Sequence, residues 1–144
     1  MPSDEVRYDA AGGVVVDGGR VLVLNRPGRK EIRLPKGHVD EGEDFVTAAV
    51  REVAEESGYA ARAIADLGSQ LVEFDHAGRH WRRTEYFFLM ERDHTTEPAE
   101  PEPQFEPMWT SWDDAARVLT FDREQEWVRR ARRKLDGLAD GSVV

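Results

Sequence analysis

Three glutamates, Glu52, Glu55 and Glu56, stand at helical spacings and together could hold a hard cation. At about 100° per residue, a helix places Glu52 and Glu56 roughly 40° apart, one turn above the other, with Glu55 about 60° from Glu52. Like charges at i, i+4 destabilise an isolated helix by roughly 0.2–0.5 kcal/mol, and acids near a helix C-terminus oppose its dipole. Something cationic must compensate. Oxygen-only donors suit Mg²⁺ or Mn²⁺, and Mg²⁺ keeps several waters while bridging to substrate phosphates. The plainer reading is a solvated acidic helix face with an Arg51 to Glu55 surface ion pair.

The element that positions these acids is expected to be a helix from Asp44 to about Ser57, a run without Gly or Pro. Val46, Ala49, Val50 and Val53 recur at i, i+3, i+4 and i+7, the spacing of one apolar face, and Gly58 supplies the stop. Ahead of it, Gly37-His-Val-Asp-Glu-Gly42 has a glycine at each end and reads as a tight loop rather than a strand end.

Gly37, five residues, Glu43, seven residues, then Arg51-Glu52-Val53-Ala54-Glu55-Glu56-Ser57-Gly58-Tyr59 resembles a complete Nudix box. Tyr59 is the one mild departure, an aromatic where that family more often has an aliphatic. The resemblance implies metal-dependent hydrolysis of a nucleoside diphosphate linked to another group. By position it makes Glu56 a metal ligand, Glu52 a ligand or the base, and Glu55 a further catalytic or metal-binding acid. It also lets the Gly37 carbonyl complete the metal shell, Arg51 orient a glutamate, and Glu43 support the ligands from behind. Within the family the base can come from outside the box. Glu102 and Glu106 lie where some relatives place an additional acid before a Trp, and Glu106 is carried as the candidate.

Composition bounds the rest. The chain of 144 residues is read as a single domain over 1–144, with one core. There is no cysteine, so disulfides, thiolate chemistry and cysteine zinc sites are excluded. No apolar run approaches the roughly 18 residues of a membrane span, and the start MPSDEVRYDA lacks a basic end followed by an apolar core. A soluble, cytoplasmic protein without a membrane partner is expected. The net charge of −9 argues against nucleic-acid binding. A small polyphosphate is another matter, because Arg26, Arg29, Lys30, Arg33 and Lys36 form a local basic patch just before the box. Arg33 and Lys36 are the expected phosphate contacts.

In chain order, residues 7–16 and 20–25 are valine-rich and joined by Asp17-Gly18-Gly19, a hairpin signal. Ala11-Gly12-Gly13 marks a bulge, or a close approach by a ligand or a neighbouring element. A short strand is expected at 31–34 and a return to the sheet over 60–74, with Gly68 at a bend. Residues 75–83 read as a turn and 84–91 as a central strand. From 93 to 107, proline and acid dominate and a mobile surface loop is expected. A short helix should begin at Asp113-Asp114 and run through Leu119. A longer helix over about 121–138 should start at Asp122 and cover the sheet with Trp127, Val128, Ala131 and Leu135. These elements amount to an α/β fold, an α/β/α sandwich around a mixed β-sheet, which the Nudix resemblance also implies.

Substrate choice lies outside the box. PKGHVDEGED, AGGVVV and TEYFFLM are similar to bacterial diadenosine polyphosphate hydrolases and to diphosphoinositol polyphosphate phosphohydrolases. A dinucleoside polyphosphate such as diadenosine tetraphosphate is therefore the leading substrate. Phe74, Trp81 and Tyr86 are the aromatics that could stack on a base, with core packing as their other role. Two features depart from the subgroups: the proline of ADP-ribose hydrolases is absent from Leu71 to Ala77, and Phe74 stands where dinucleoside polyphosphate hydrolases often have tyrosine. Nucleoside triphosphates, oxidised ones included, and diphosphoinositol polyphosphates are the alternatives. A non-catalytic nucleotide-sensing module is the alternative of another class, and the family often forms homodimers.

Overall fold

The computed structural model describes residues 4–139. A seven-stranded mixed sheet runs in the order β3-β2-β1-β6-β5, with β4 paired to β1 and β7 paired to β2. The strands are β1 (Glu5–Asp17), β2 (Arg20–Arg26), β3 (Glu31–Arg33), β4 (Lys36–His38), β5 (Ala61–His76), β6 (Arg79–Arg92) and β7 (Glu106–Ser111). Helix α1 (Phe45–Ser57) covers one face; α2 (Trp112–Val118) and α3 (Asp122–Ala139) cover the other. This is the expected sandwich, and β6 is central, parallel to β1 along its length from Glu5↔His80 to Val16↔Glu91. The single-domain reading over 1–144 extends past the described residues at both ends.

Each strand of the middle pair feeds both layers because its side chains alternate. Val14, Val16, Phe87 and Leu89 face Trp127, Val128 and Ala131 of α3, whereas Ala11, Val15, Phe88 and Met90 face Ala48, Ala49 and Val53 of α1. The phase of α1 differs from the expected stripe: Val46 is exposed and Val50 half-buried, while Ala48 takes a core position. Alanines let the helix lie close to Ala11 of β1 and leave the valines beside Ala61 and Ala63 at the sheet's flank.

Turns are tighter than the sequence suggested. Gly18 and Gly19 both have positive φ and close a two-residue hairpin, but β1 pairs with β2 only at Val16↔Val21 and Asp17↔Arg20 before turning to β4. Ala77 and Gly78 close another such turn, so the expected loop over 75–83 is mostly strand and His76, His80 and Trp81 sit on the ladder. β5 bulges twice, at Ala63/Ala65 and Asp66/Gly68, in keeping with the bend assigned to Gly68. Ser111 caps α2 by accepting from Asp114 N–H, so that helix starts at Trp112, ahead of the acidic pair.

Two corrections bear on the site. Lys36–His38 is a strand, where a loop was expected, paired antiparallel with Ala10, Ala11 and Gly12. A Cβ at Gly12 would collide with Pro35 O and Lys36, which identifies the neighbour that the glycine pair accommodates. The segment over 93–107, expected to be mobile, is tied down: Ala99 N–H donates to Gly58 O (2.8 Å), Glu102 N–H to Glu56 O (3.3 Å), and the Phe105 side chain is buried.

Candidate active site

Helix α1 is bounded as its sequence demands. The Asp44 carboxylate accepts from Thr47 N–H (2.8 Å) at the N-cap, and Gly58 closes the C-terminus in the left-handed region (φ 82°) with its N–H on Ala54 O. A side chain at Gly58 would also strike Ala99 O, so this glycine admits the 93–107 segment against the helix end.

Arg51 organises the acids on one side of the helix. Its Nε and Nη2 donate bidentately to Glu43 (2.7 and 2.8 Å), Nη2 also to His38 O (3.0 Å), and Nη1 to Glu52 Oε1 (2.9 Å) and Glu55 Oε2 (3.1 Å). Glu43 in turn accepts from Asp40 N–H (3.0 Å). These bonds, the Arg51 one foremost, hold the Glu43 carboxyl down at about 2 and raise the Arg51 guanidinium further. Arg51 is the cation that the like-charged glutamates required.

Glu56 lives differently. Its side chain is buried, one oxygen accepts from Lys36 N–H (2.9 Å), and burial pushes its carboxyl up to about 7 despite the opposing charges of Arg33 and Lys36. Glu52 is buried too and raised for the same first cause, burial, against the pull of Arg51. Its carboxylate lies directly on Gly37, where a Cβ would overlap it. Gly37, Glu52 and Glu56 are therefore neighbours.

A cavity of about 220 Å³ opens beside Glu56, walled by Gly37, His38, Tyr8, Arg26, Arg33, Arg83, Gln104 and Phe105 among others. Arg26 and Arg33 both lie over the Phe105 ring, at 5.6 and 5.3 Å. Arg83 is set by Tyr8 Oη (3.3 Å), by Glu85 (2.8 Å) and by the Phe74 ring (5.3 Å). Arg26, Arg33 and Arg83 thus line one small cavity together with Glu56.

The NUDIX domain matches residues 6–133. The chain belongs to the NUDIX domain family. Among curated relatives it is 38% identical over 95 residues to a candidate mutator protein, MutT4, of Mycobacterium tuberculosis, covering 59% of this chain and 38% of that one. It is 30% identical over 89 residues to the bis(5'-nucleosyl)-tetraphosphatase [asymmetrical] of Rattus norvegicus, covering 61% and 60%. The chain thus matches less than two thirds of the length of either relative. In structure it resembles a NUDIX hydrolase from Nitrosomonas europaea, with a TM-score of 0.73, 16% identity and 90% of each chain covered, a likeness of fold.

Against the NUDIX box as centre, the other expected site residues sort clearly. Arg33 lines the cavity with Glu56. Lys36, expected at phosphate, also lines that cavity, but it is buried and its ammonium pairs with Glu124 (2.8 Å). Glu106 is hydrogen-bonded by Asn25 (2.8 Å) and borders an adjoining cleft that shares Arg26 and Gln104 with that cavity; Glu102 adds a small charge effect to Glu52, which burial raises first. Phe74 and Trp81 stack as cross-strand partners (6.0 Å, 4°), and Trp81 meets Tyr8 edge-on, which stacks on His38 (4.4 Å). Tyr86 lies away from them, on the α1 face, stacked on Phe45 (3.7 Å). Glu55 is half-exposed with Arg51 as its partner.

Tyr8, Arg83, Gln104 and Phe105 were missed as cavity residues, whereas Arg26 belongs to the basic patch expected to meet a polyphosphate. Tyr8 had a signal, since alternation puts it on the same strand face as Ala10 and Gly12, against which Pro35 and Lys36 pack.

Proposed function

We propose that this chain hydrolyses a phosphoanhydride bond in a nucleoside polyphosphate, with a dinucleoside polyphosphate such as diadenosine tetraphosphate as the preferred class. The observation that carries the reading is the joining of buried Glu56 to a cavity lined by Arg26, Arg33 and Arg83. Acid and polyphosphate receptacle then share one wall. The tetraphosphatase name of the rat relative supports the substrate class.

Mg²⁺ or Mn²⁺ fits the residues present. Glu52 and Glu56 offer hard oxygen donors whose burial disfavours their charge, the condition that a bound divalent ion would relieve. Among the described residues no three acidic or histidine side chains are grouped to hold a metal ion, and Glu55, expected as a third ligand, is paired with Arg51 instead. Glu52, Glu56 and the Gly37 carbonyl would hold it. Such an ion supplies neutralisation of phosphate charge and a water of lowered pKa. The chain's own residues do the rest. Arg26, Arg33 and Arg83 bind the polyphosphate oxygens, Arg51 fixes Glu52 and Glu55, and Glu102, whose charge acts on Glu52, joins Glu106 as a candidate to receive a proton. The His38, Tyr8, Trp81 and Phe74 ladder offers ring faces on which a base could stack.

The compactness of the cavity favours a second reading, nucleoside triphosphates, oxidised ones included. The test is a hydrolysis panel with Mg²⁺ and with Mn²⁺, comparing diadenosine tetraphosphate, ADP-ribose, nucleoside triphosphates and a diphosphoinositol polyphosphate, with products identified. Selective release of ATP and AMP from diadenosine tetraphosphate is expected. Turnover of triphosphates alone selects the second reading, and no turnover with either ion points to a sensing module.

A further inference from the structure

Among the described residues, two acids outside the NUDIX box have no exposed surface, Glu85 of β6 and Glu124 in the first turn of α3; Glu124 is the one tied to the box. One carboxylate oxygen accepts from Leu34 N–H (2.8 Å) and the other from Lys36 Nζ (2.8 Å). Just before it, Thr120 exchanges two bonds with Ile32: Ile32 N–H donates to Thr120 Oγ1 (2.8 Å) and Thr120 N–H to Ile32 O (2.9 Å). The backbone from Ile32 to Lys36 is thus fastened to the start of α3. The far side of that same short segment holds the box: Lys36 N–H binds Glu56, and Gly37 abuts the Glu52 carboxylate.

We propose that Glu124 is a positioning residue for the box carboxylates, acting through β4, and that this is why a lysine beside a phosphate-binding cavity points inward. The inference rests on the reading of Glu52 and Glu56 as metal ligands. Glu124 touches neither acid. It fixes the strand from which Glu56 takes its hydrogen bond and against which Glu52 packs, as outer partners orient metal ligands elsewhere. A carboxylate is required because it alone offers two acceptors and the charge that a buried ammonium needs.

The test measures two quantities in Glu124→Gln, Glu124→Asp and Val128→Ala: amide hydrogen exchange at Lys36 in metal-free protein, and the Mn²⁺ dissociation constant from the free-ion EPR signal. Val128 is buried one turn along α3 and has no polar side-chain group to bond β4, so it controls for general loosening of the helix. Glu124→Asp keeps the charge but shortens the reach, and so serves if the Gln variant fails to fold. The expected result is faster exchange at Lys36 and about tenfold weaker Mn²⁺ binding in the Glu124 variants, with neither change in Val128→Ala. Exchange at Lys36 no faster than in Val128→Ala, or Mn²⁺ binding equal to wild type, overturns the positioning role. Faster exchange in a protein whose wild type binds no Mn²⁺ overturns the metal reading of the box instead, and with it the consequence drawn for the ligands.

Discussion

Glu43 and Glu56 belong to one short box, yet their environments push them in opposite directions, to about 2 and about 7. Glu43 shares a guanidinium bidentately and accepts a backbone N–H as well. Glu56 has one backbone donor, burial, and cations that act on it only from a distance. The difference teaches where an additional cation is wanted. On the Arg51 side a guanidinium is bonded to the carboxylates; on the Glu56 side burial outweighs the pull of Arg33 and Lys36, and the Glu56 carboxyl is raised beside the cavity.

The sharpest way to break this contrast is Glu56→Gln. Hydrolysis should fall by about 10³-fold or more with little loss of fold, since Gln still accepts from Lys36 N–H. Unchanged kcat would sink the assignment of Glu56 to the metal. Next in size is the outside acid: Glu102→Gln should lower kcat by about 10²-fold, and Glu106→Gln should leave it near wild type. The reverse ranking would make Glu106 the proton acceptor.

Much of this was legible in the sequence, and the reason is range. Box spacing, the Gly58 stop and the Arg51 pairing are set within a few turns of one helix, so periodicity and side-chain type report them; Asp44, read as the first helical residue, is the cap before it. The inward turn of Lys36 was not legible, because its partner lies 88 residues away. Nor was the docking of 93–107, whose ties to Gly58 and Glu56 run through backbone atoms and leave no mark in residue type. The phase of α1 was misjudged by ranking valine above alanine, when close approach to the sheet favoured the smaller side chain.

The same contrast has a pH signature. Because the Glu56 carboxyl is raised in the folded chain, its contribution is fully present below about 4.5 and is lost as pH rises through about 7. The loss should be of order 3 kcal/mol in metal-free protein. Glu43 runs the other way, contributing above about 4.5 and losing that contribution as pH falls toward about 2. Urea midpoints from pH 5 to 8 in chelator should therefore decline in the wild type and stay flat in Glu56→Gln, and Mg²⁺ should restore the wild type most at pH 8. An equal slope in both proteins would show that the fall has another source.

The smallest expected effect concerns the satisfied side of the box. Arg51→Lys keeps the charge and loses the fork, so one ammonium must choose among Glu43, Glu52, Glu55 and His38 O. Loss of the bidentate Glu43 bonds should lower the urea midpoint of unfolding. The freed Glu52 should bind Mn²⁺ about tenfold more weakly, since its orientation and not its charge has changed. The pH slope assigned to Glu56 should survive intact, because Arg51 is not among the charges acting on it. If Arg51→Lys flattens that slope as Glu56→Gln does, the two sides of the box are a single coupled system and the division between the Arg51 side and the Glu56 side is wrong.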